Sequence, residues 1–235
     1  MSVLRLIAGD KTRSRSDAMS ATVPGMPVDL NAMLEPSRCA VVTSEVQNGV
    51  LGPSALFPEL AAAAQSHVPA MVRVVDAARA AGVPVIHATV YRRPDARGAN
   101  TNARLFAAAL KSARRDDVED LLPGSEAAAV IDEIGLLDTD IELPRYHGLG
   151  PMYDSGLAAV LRNLGARTLV PVGLSVNVAI TNLVMDAVNA GFDVVLPRDA
   201  VAGVPAAYAE AVIDHTLAVL AALTTSTDLA AAWSR

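Results

Sequence analysis

The chain has 235 residues, of which 52% are hydrophobic and 19% charged, and its net charge is −6. That is the composition of a globular chain of single-domain length, large enough to bury a full core, and not of a disordered one. The acidic balance and an aromatic content of only 3% count against nucleic acid or an anionic membrane surface as a partner, and no unbroken apolar run of about eighteen residues marks a membrane span.

A single cysteine, Cys39, leaves no intramolecular disulfide and no cysteine-based zinc site. With no apolar stretch of signal-peptide length near the N-terminus, the expected setting is the cytoplasm. Residues 1–36 mix KTRSRSD with several Pro and Gly, which predicts an N-terminal arm that wraps a neighbouring subunit rather than core. Residues 37–235 show no further boundary and read as one domain. CAVVTSEV, Cys39–Val46, is apolar and β-branched and predicts a buried strand. ELAAAAQSHVPAMVRVVDAARAAG, Glu59–Gly82, predicts helix, with Gly82 as its stop and Pro69 imposing a kink or a late start. VPVIHATV, Val83–Val90, is a second buried strand. Residues 91–123 form an excursion with a short helix and a run of basic residues from Arg92 to Arg115. That run either covers a pocket and meets an anion or stands as a solvated lid or subunit contact. SEAAAVIDEIG, Ser125–Gly135, fits a short helix or a loop. TDIEL, Thr139–Leu143, is a short strand, and PRYHGLGPMYDS, Pro144–Ser155, a loop. GLAAVLRNLG, Gly156–Gly165, is a helix ended by glycine. RTLVPVG and FDVVLPRD are strands with a helix between them, and PAAYAEAVIDHTLAVLAAL, Pro205–Leu223, is the last long helix.

Strands that alternate with helices, with apolar runs covered on both faces, predict an α/β fold of three layers built on a mostly parallel, doubly wound sheet. Ligands bind such sheets outside the carboxyl ends of the strands. Three segments meet that rim: the end of the first strand at Glu45, the loop after Leu143, and the turn after Gly173. Glu45 at a strand end costs desolvation unless paired or protonated, which suits a proton donor or acceptor; its alternative is a glutamate bonded to loop amides. Arg145 is placed to pair with Glu45, to hold a substrate carboxylate, or to face solvent. His147, in the same loop, is the best placed of the four histidines for acid–base chemistry, whereas His87 reads as packed core. Gly173-Leu174-Ser175-Val176-Asn177 imitates a nucleophile elbow but lacks its second glycine, so Ser175 is a weak nucleophile candidate. The amides from Val176 to Ile180 open a helix and suit an anion or oxyanion. Cys39 lies six residues upstream of Glu45, roughly 20 Å away at about 3.3 Å per residue, and reads as core. No ligand spacing for a metal and no cofactor motif is present.

Three stretches in this order and spacing resemble one family: VVTSEVQNG, like a V-x-D-x-Q-N-D opening strand; DIELPR, like D-x-x-x-x-K; and GLSVNVAITNLVMDAVNAGFDVVLPRDAV, like G-x-x-T-N-x-C-V…D-A…G-Y-x-V…D-A. The chain resembles the isochorismatase-like, or cysteine hydrolase, superfamily over about Cys39–Leu223. The resemblance implies a Rossmann-like sheet, a homo-oligomer, a small-molecule substrate, and an Asp–Lys–Cys triad with a cis peptide near Leu174-Ser175. Carried over by position, the triad reads Glu45–Arg145–Ala179. The resemblance also puts Gln47, Asn48, Ser175, Asn177 and Ala179 on the substrate side.

Thiolate attack cannot proceed through a methyl group. True isochorismatases place a small residue at the cysteine position and protonate a vinyl ether instead, with an acid that Glu45 could supply; the aromatic lining they need is not evident in the sequence. Three readings follow. The first is a hydrolase of a small carboxylate, amide or vinyl ether without a covalent nucleophile, with Glu45 as acid or base and Arg145 as anion partner. The second is an inactive relative that binds a small molecule or serves in assembly. The third is an amidase using Ser175 or Thr181.

Overall fold

The computed structural model describes residues 29–153 and 155–234; most of the expected arm, residues 1–28, lies outside them. The strands are β1 (Cys39–Ser44), β2 (Val85–Ala88), β3 (Ile141–Glu142), β4 (Thr168–Leu174), β5 (Asp193–Pro197), β6 (Val201–Ala202) and β7 (Ala222–Thr224). They form a seven-stranded sheet in the order β3-β2-β1-β4-β5-β7, with β6 beside β4, and every pairing is parallel. This is a three-layer, Rossmann-like α/β fold.

Side chains alternate across the strands and so feed two cores. Val41, Val170, Val172 and Leu174 face one, with Met71 and Val74 of α4 (Val68–Ala80) and Trp233 of α9 (Ser226–Trp233). Ala40, Val42, Leu169 and Leu196 face the other, with Leu161 of α6 (Leu157–Asn163), Leu183 of α7 (Thr181–Asn189) and Ile213 of α8 (Ala206–His215). Two short helices, α1 (Leu30–Met33) and α2 (Asn48–Leu51), flank β1. The segment after α1 is anchored: Leu34 is buried and its carbonyl accepts a 2.9 Å bond from Trp233 Nε1.

Pro69 splits the first long helical stretch, as expected. α3 (Pro58–Ala64) ends in a 3-10 turn, and α4 starts afresh with Pro69 in its first turn, where a missing N–H costs nothing. The excursion carries α5 (Arg104–Ser112), and residues 125–135 are turn and loop. The helix expected over Pro205–Leu223 is much shorter than that span. It ends at His215, and Ala222–Thr224 runs as β7 against β5. Pairing with an open sheet edge overrides the helical preference of an Ala/Leu-rich run.

β1 has β2 on one side and β4 on the other, so successive connections leave it in opposite directions. The crevice at the carboxyl ends of β1 and β4 is the topological switch point. There the strands touch closely: Ser44 pairs with Gly173, and Ser44 Oγ donates to the Leu174 carbonyl at 2.7 Å. Gly173 has φ +109°, and a Cβ on it would run into the Ser44 carbonyl. Only glycine fits both demands.

Candidate active site

Glu45 is the first residue past β1. Its backbone turns into the left-handed region, φ +57°, and its N–H donates to the Ala88 carbonyl at 3.2 Å, across the end of β2. A glutamate in that conformation costs about 1–2 kcal/mol, a type of strain that clusters at functional sites. Arg145 arrives from the other side of β2. Its N–H donates to the Thr89 carbonyl at 3.0 Å and its carbonyl accepts from the Tyr91 N–H at 2.9 Å, so the line of β3 continues through it. The Arg145 Nη2 donates to Glu45 Oε1. The arginine side chain is 4% exposed and the glutamate 21%. Among the described residues, Arg145 Nε and Nη1 have no hydrogen-bond partner.

β4 ends at a cis Leu174-Ser175 peptide, where the family resemblance places one, and enters a π-helical turn, Val176–Ile180, before α7. Ser175, Asn177 and Ala179 of this turn border the same cavity as Glu45, Arg145 and His147. Ala179, which the resemblance sets at the thiol position, is buried against it. Asn177 Nδ2 donates to the Val204 carbonyl at 3.2 Å, which ties the turn to the loop after β6. Thr181 Oγ1 donates to the Val176 carbonyl at 2.5 Å, and no hydrogen bond joins Ser175 Oγ to a base among the described residues. Cys39 sits at the far end of β1, buried, donating its thiol to the Met33 carbonyl at 3.2 Å; burial, with the charge of Glu35, pushes that thiol up to about 12. It is neither placed nor ionised for attack.

Gln47 and Asn48 do not border this cavity. Gln47 is fully buried and its amide is spent on backbone: Nε2 donates to the carbonyls of Ala128 (2.8 Å) and Val90 (3.1 Å), and Oε1 accepts from the Val90 N–H (2.7 Å). The left-handed turn at Glu45 directs the following residues toward the 126–130 segment, where Asn48 Nδ2 donates to the Glu126 carbonyl at 3.1 Å. Gln47 therefore fixes the loop that presents Glu45, and Asn48 braces it.

The cavity has a volume of about 690 Å³. An aromatic lining is not evident along the chain, yet Phe57, Tyr91, Phe106 and Tyr146 come together around it. Tyr91 and Tyr146 meet edge to face at 5.9 Å. Tyr91 Oη donates to Glu142 Oε1 at 2.6 Å; burial, then that carboxylate, pushes the phenol up to about 12. Helix α5 forms a wall through Leu105, Phe106, Ala109 and Leu110. Its apolar spacing was readable in the sequence, but not what it faced. Three of the seven basic residues from Arg92 to Arg115 are held by carboxylates: Arg92 pairs with Asp120 (2.7 Å), Arg93 with Asp95 (2.9 Å) and Arg115 with Asp117. Asn100 Oδ1 accepts from the Gly148 N–H at 2.8 Å, joining the excursion to the loop that carries the exposed His147. Among the described residues no cluster of three or more His, Cys, Asp or Glu is placed to hold a metal, and no helix is long and apolar enough to cross a membrane.

Comparison with known proteins bears on this geometry. The isochorismatase domain model matches residues 39–228. The ureidoacrylate amidohydrolase RutB of Rhizobium rhizogenes is 31% identical over 195 residues, 78% of this chain and 77% of that one. Among solved structures, an isochorismatase family protein from Desulfovibrio vulgaris superposes with a TM-score of 0.71 at 22% identity, over 84% of this chain and 98% of that one. The N-carbamoylsarcosine amidase of Thermoplasma acidophilum gives 0.63 at 21% identity, over 80% and 96%. The chain belongs to the isochorismatase family.

Proposed function

We propose that the protein hydrolyses a small amide without a covalent enzyme intermediate. The observation that carries this reading is the carboxylate of Glu45, held at the cavity through Oε1 by a buried Arg145, beside a methyl group in place of the family thiol. Glu45 Oε2 has no partner among the described residues and is the oxygen that takes a proton. In the proposed step a water oxygen attacks the amide carbon while its proton passes to Glu45 Oε2. The tetrahedral adduct then collapses: the proton returns to the nitrogen, the C–N bond breaks, and ammonia or an amine leaves with a carboxylic acid behind. Arg145 keeps its protons throughout and orients the carboxylate. The amides of the Val176–Ile180 turn are the candidate donors to the oxyanion. An amide is preferred over a vinyl ether because the family relatives include named amidohydrolases.

A second reading, a binding protein on a hydrolase scaffold, draws support from the same pair: the carboxylate that would act is already engaged, and the nucleophile position is alanine. Ammonia release from a panel of primary amides and carbamoyl amides separates the two. Turnover in the wild type that falls at least about 100-fold in Glu45→Gln supports hydrolysis; saturable ligand binding with no release from any member supports the binding protein.

A further inference from the structure

We infer that the site is built for an uncharged amphiphile, a neutral amide head on an extended hydrocarbon or aryl body, rather than for a compact charged acid. The inference deepens the proposed hydrolysis of an amide and rests on it for the head group.

The charge pattern comes first. The polar end of the cavity holds one carboxylate and one guanidinium, and they are paired with each other. The other arginine that borders it, Arg92, is paired with Asp120. A ligand carboxylate on any donor of Arg145 would lie beside the Glu45 charge, at low dielectric. A neutral amide brings no second charge. The walls come second. About 690 Å³ is room for a drug-sized molecule, well beyond what a small amide alone fills. The walls away from Glu45 are mostly hydrocarbon, from Val50, Leu56 and Leu60 on one side to α5 on the other, with Glu59 and Asn100 as polar exceptions. Four of the eight aromatic residues of the chain, Phe57, Tyr91, Phe106 and Tyr146, gather here, and so local a concentration of a rare residue type marks a surface for apolar contact. Helix α5 comes third. None of its residues is buried, although it is amphipathic and turns Leu105, Phe106, Ala109 and Leu110 to the cavity. A hydrocarbon body lying across the cavity supplies the burial that this helix does not find within the described chain.

The test is calorimetric titration of the full chain with unbranched primary amides from butanamide to octanamide, and with the carboxylates of the same lengths. Affinity for the amides should rise about fourfold per added methylene. Octanoate should bind at least about tenfold more weakly than octanamide. Phe106→Ala, on a helix with no buried residue, should weaken octanamide about tenfold and butanamide less, so that the rise per methylene flattens. A flat chain-length series, or carboxylates that bind more tightly than amides, overturns the inference. Its failure differs from failure of the proposed hydrolysis: a rising series with no ammonia release keeps this ligand class and removes the reaction. Ammonia release from compact polar amides with a flat series keeps the reaction and removes this ligand class.

Discussion

The short strand β3 carries a carboxylate–guanidinium pair at each end, and the two pairs are built differently. At its amino end, Asp140 accepts from Arg79 Nη2 (2.6 Å) and Nε (3.4 Å) and from the Leu137 N–H (3.0 Å), and it touches His87 Nε2 at 3.3 Å. Arg79 spends its remaining donors on the carbonyls of Ile134 (2.8 Å) and Gly135 (2.9 Å). At the carboxyl end, Arg145 makes a single side-chain hydrogen bond among the described residues, to a cavity-lining glutamate whose backbone is left-handed and whose second oxygen has no partner there. The first pair is saturated, which is how buried polar groups stabilise a fold. The second is under-satisfied and strained, the pattern expected where local rules yield to function. Residue type alone does not separate them; how many donors are used does.

Breaking the saturated pair should have the largest effect. Asp140→Ala strands Arg79 and His87 in the interior and should cost about 3–5 kcal/mol in urea unfolding, with ligand affinity of the folded fraction unchanged. Glu45→Gln should invert that profile: it keeps an acceptor for Arg145, so stability falls by only about 1–3 kcal/mol, while turnover falls about 10²–10⁴-fold. A Glu45→Gln variant as active as the wild type would make the two pairs equivalent.

Acid should sharpen the contrast at the saturated end. Burial holds the fully buried His87 imidazole below its ordinary value of 6.5, against the pull of Asp140, and Thr43 Oγ1 lies 2.9 Å from its Nδ1. Above 6.5 the ring is neutral folded and unfolded, and its contribution is complete. As pH falls below 6.5 the unfolded chain takes the proton first, so stability drops, by at most about 1.4 kcal/mol per pH unit. Burial alone would raise the Asp140 carboxyl, but Arg79, the Leu137 amide and His87 hold it below its ordinary 3.8, so its own contribution is lost only at still lower pH. His87→Gln should remove the first slope in urea midpoints between pH 5 and 7.5 and leave the second. The smallest effect belongs to the strained end. Glu45→Gly and Glu45→Ala both lose the carboxylate, but glycine accepts φ +57°, so the glycine variant should be more stable by about 1 kcal/mol. Equal stabilities would mean that the turn is not strained.

Much of the architecture was legible from pattern. The β-branched runs at Cys39–Val46 and Val83–Val90 marked central strands, and Pro69 marked a helix restart, because each is governed by local sterics and burial. The reading failed at Leu217–Thr224, where an open sheet edge rather than local preference decides the conformation. At the site, Glu45, Arg145 and Ala179 were found through their order along the chain. The pairing of Glu45 with Arg145 was one of three alternatives for that arginine and was not singled out, since a hydrogen bond between residues a hundred positions apart leaves no periodic trace. Gln47 could not be told from a ligand residue by type; only its three backbone partners reveal an anchor. The aromatic lining was invisible for the same reason, being drawn from α3, the excursion and the loop after β3.

The most direct test of the account is to quench the protein during turnover of an amide panel, measuring ammonia release by wild type and Glu45→Gln beside the intact mass of the protein. The account expects release by the wild type, loss of release in Glu45→Gln, and no change in protein mass at any time. An acyl adduct that disappears in Ser175→Ala, or equal release by both proteins, would contradict it.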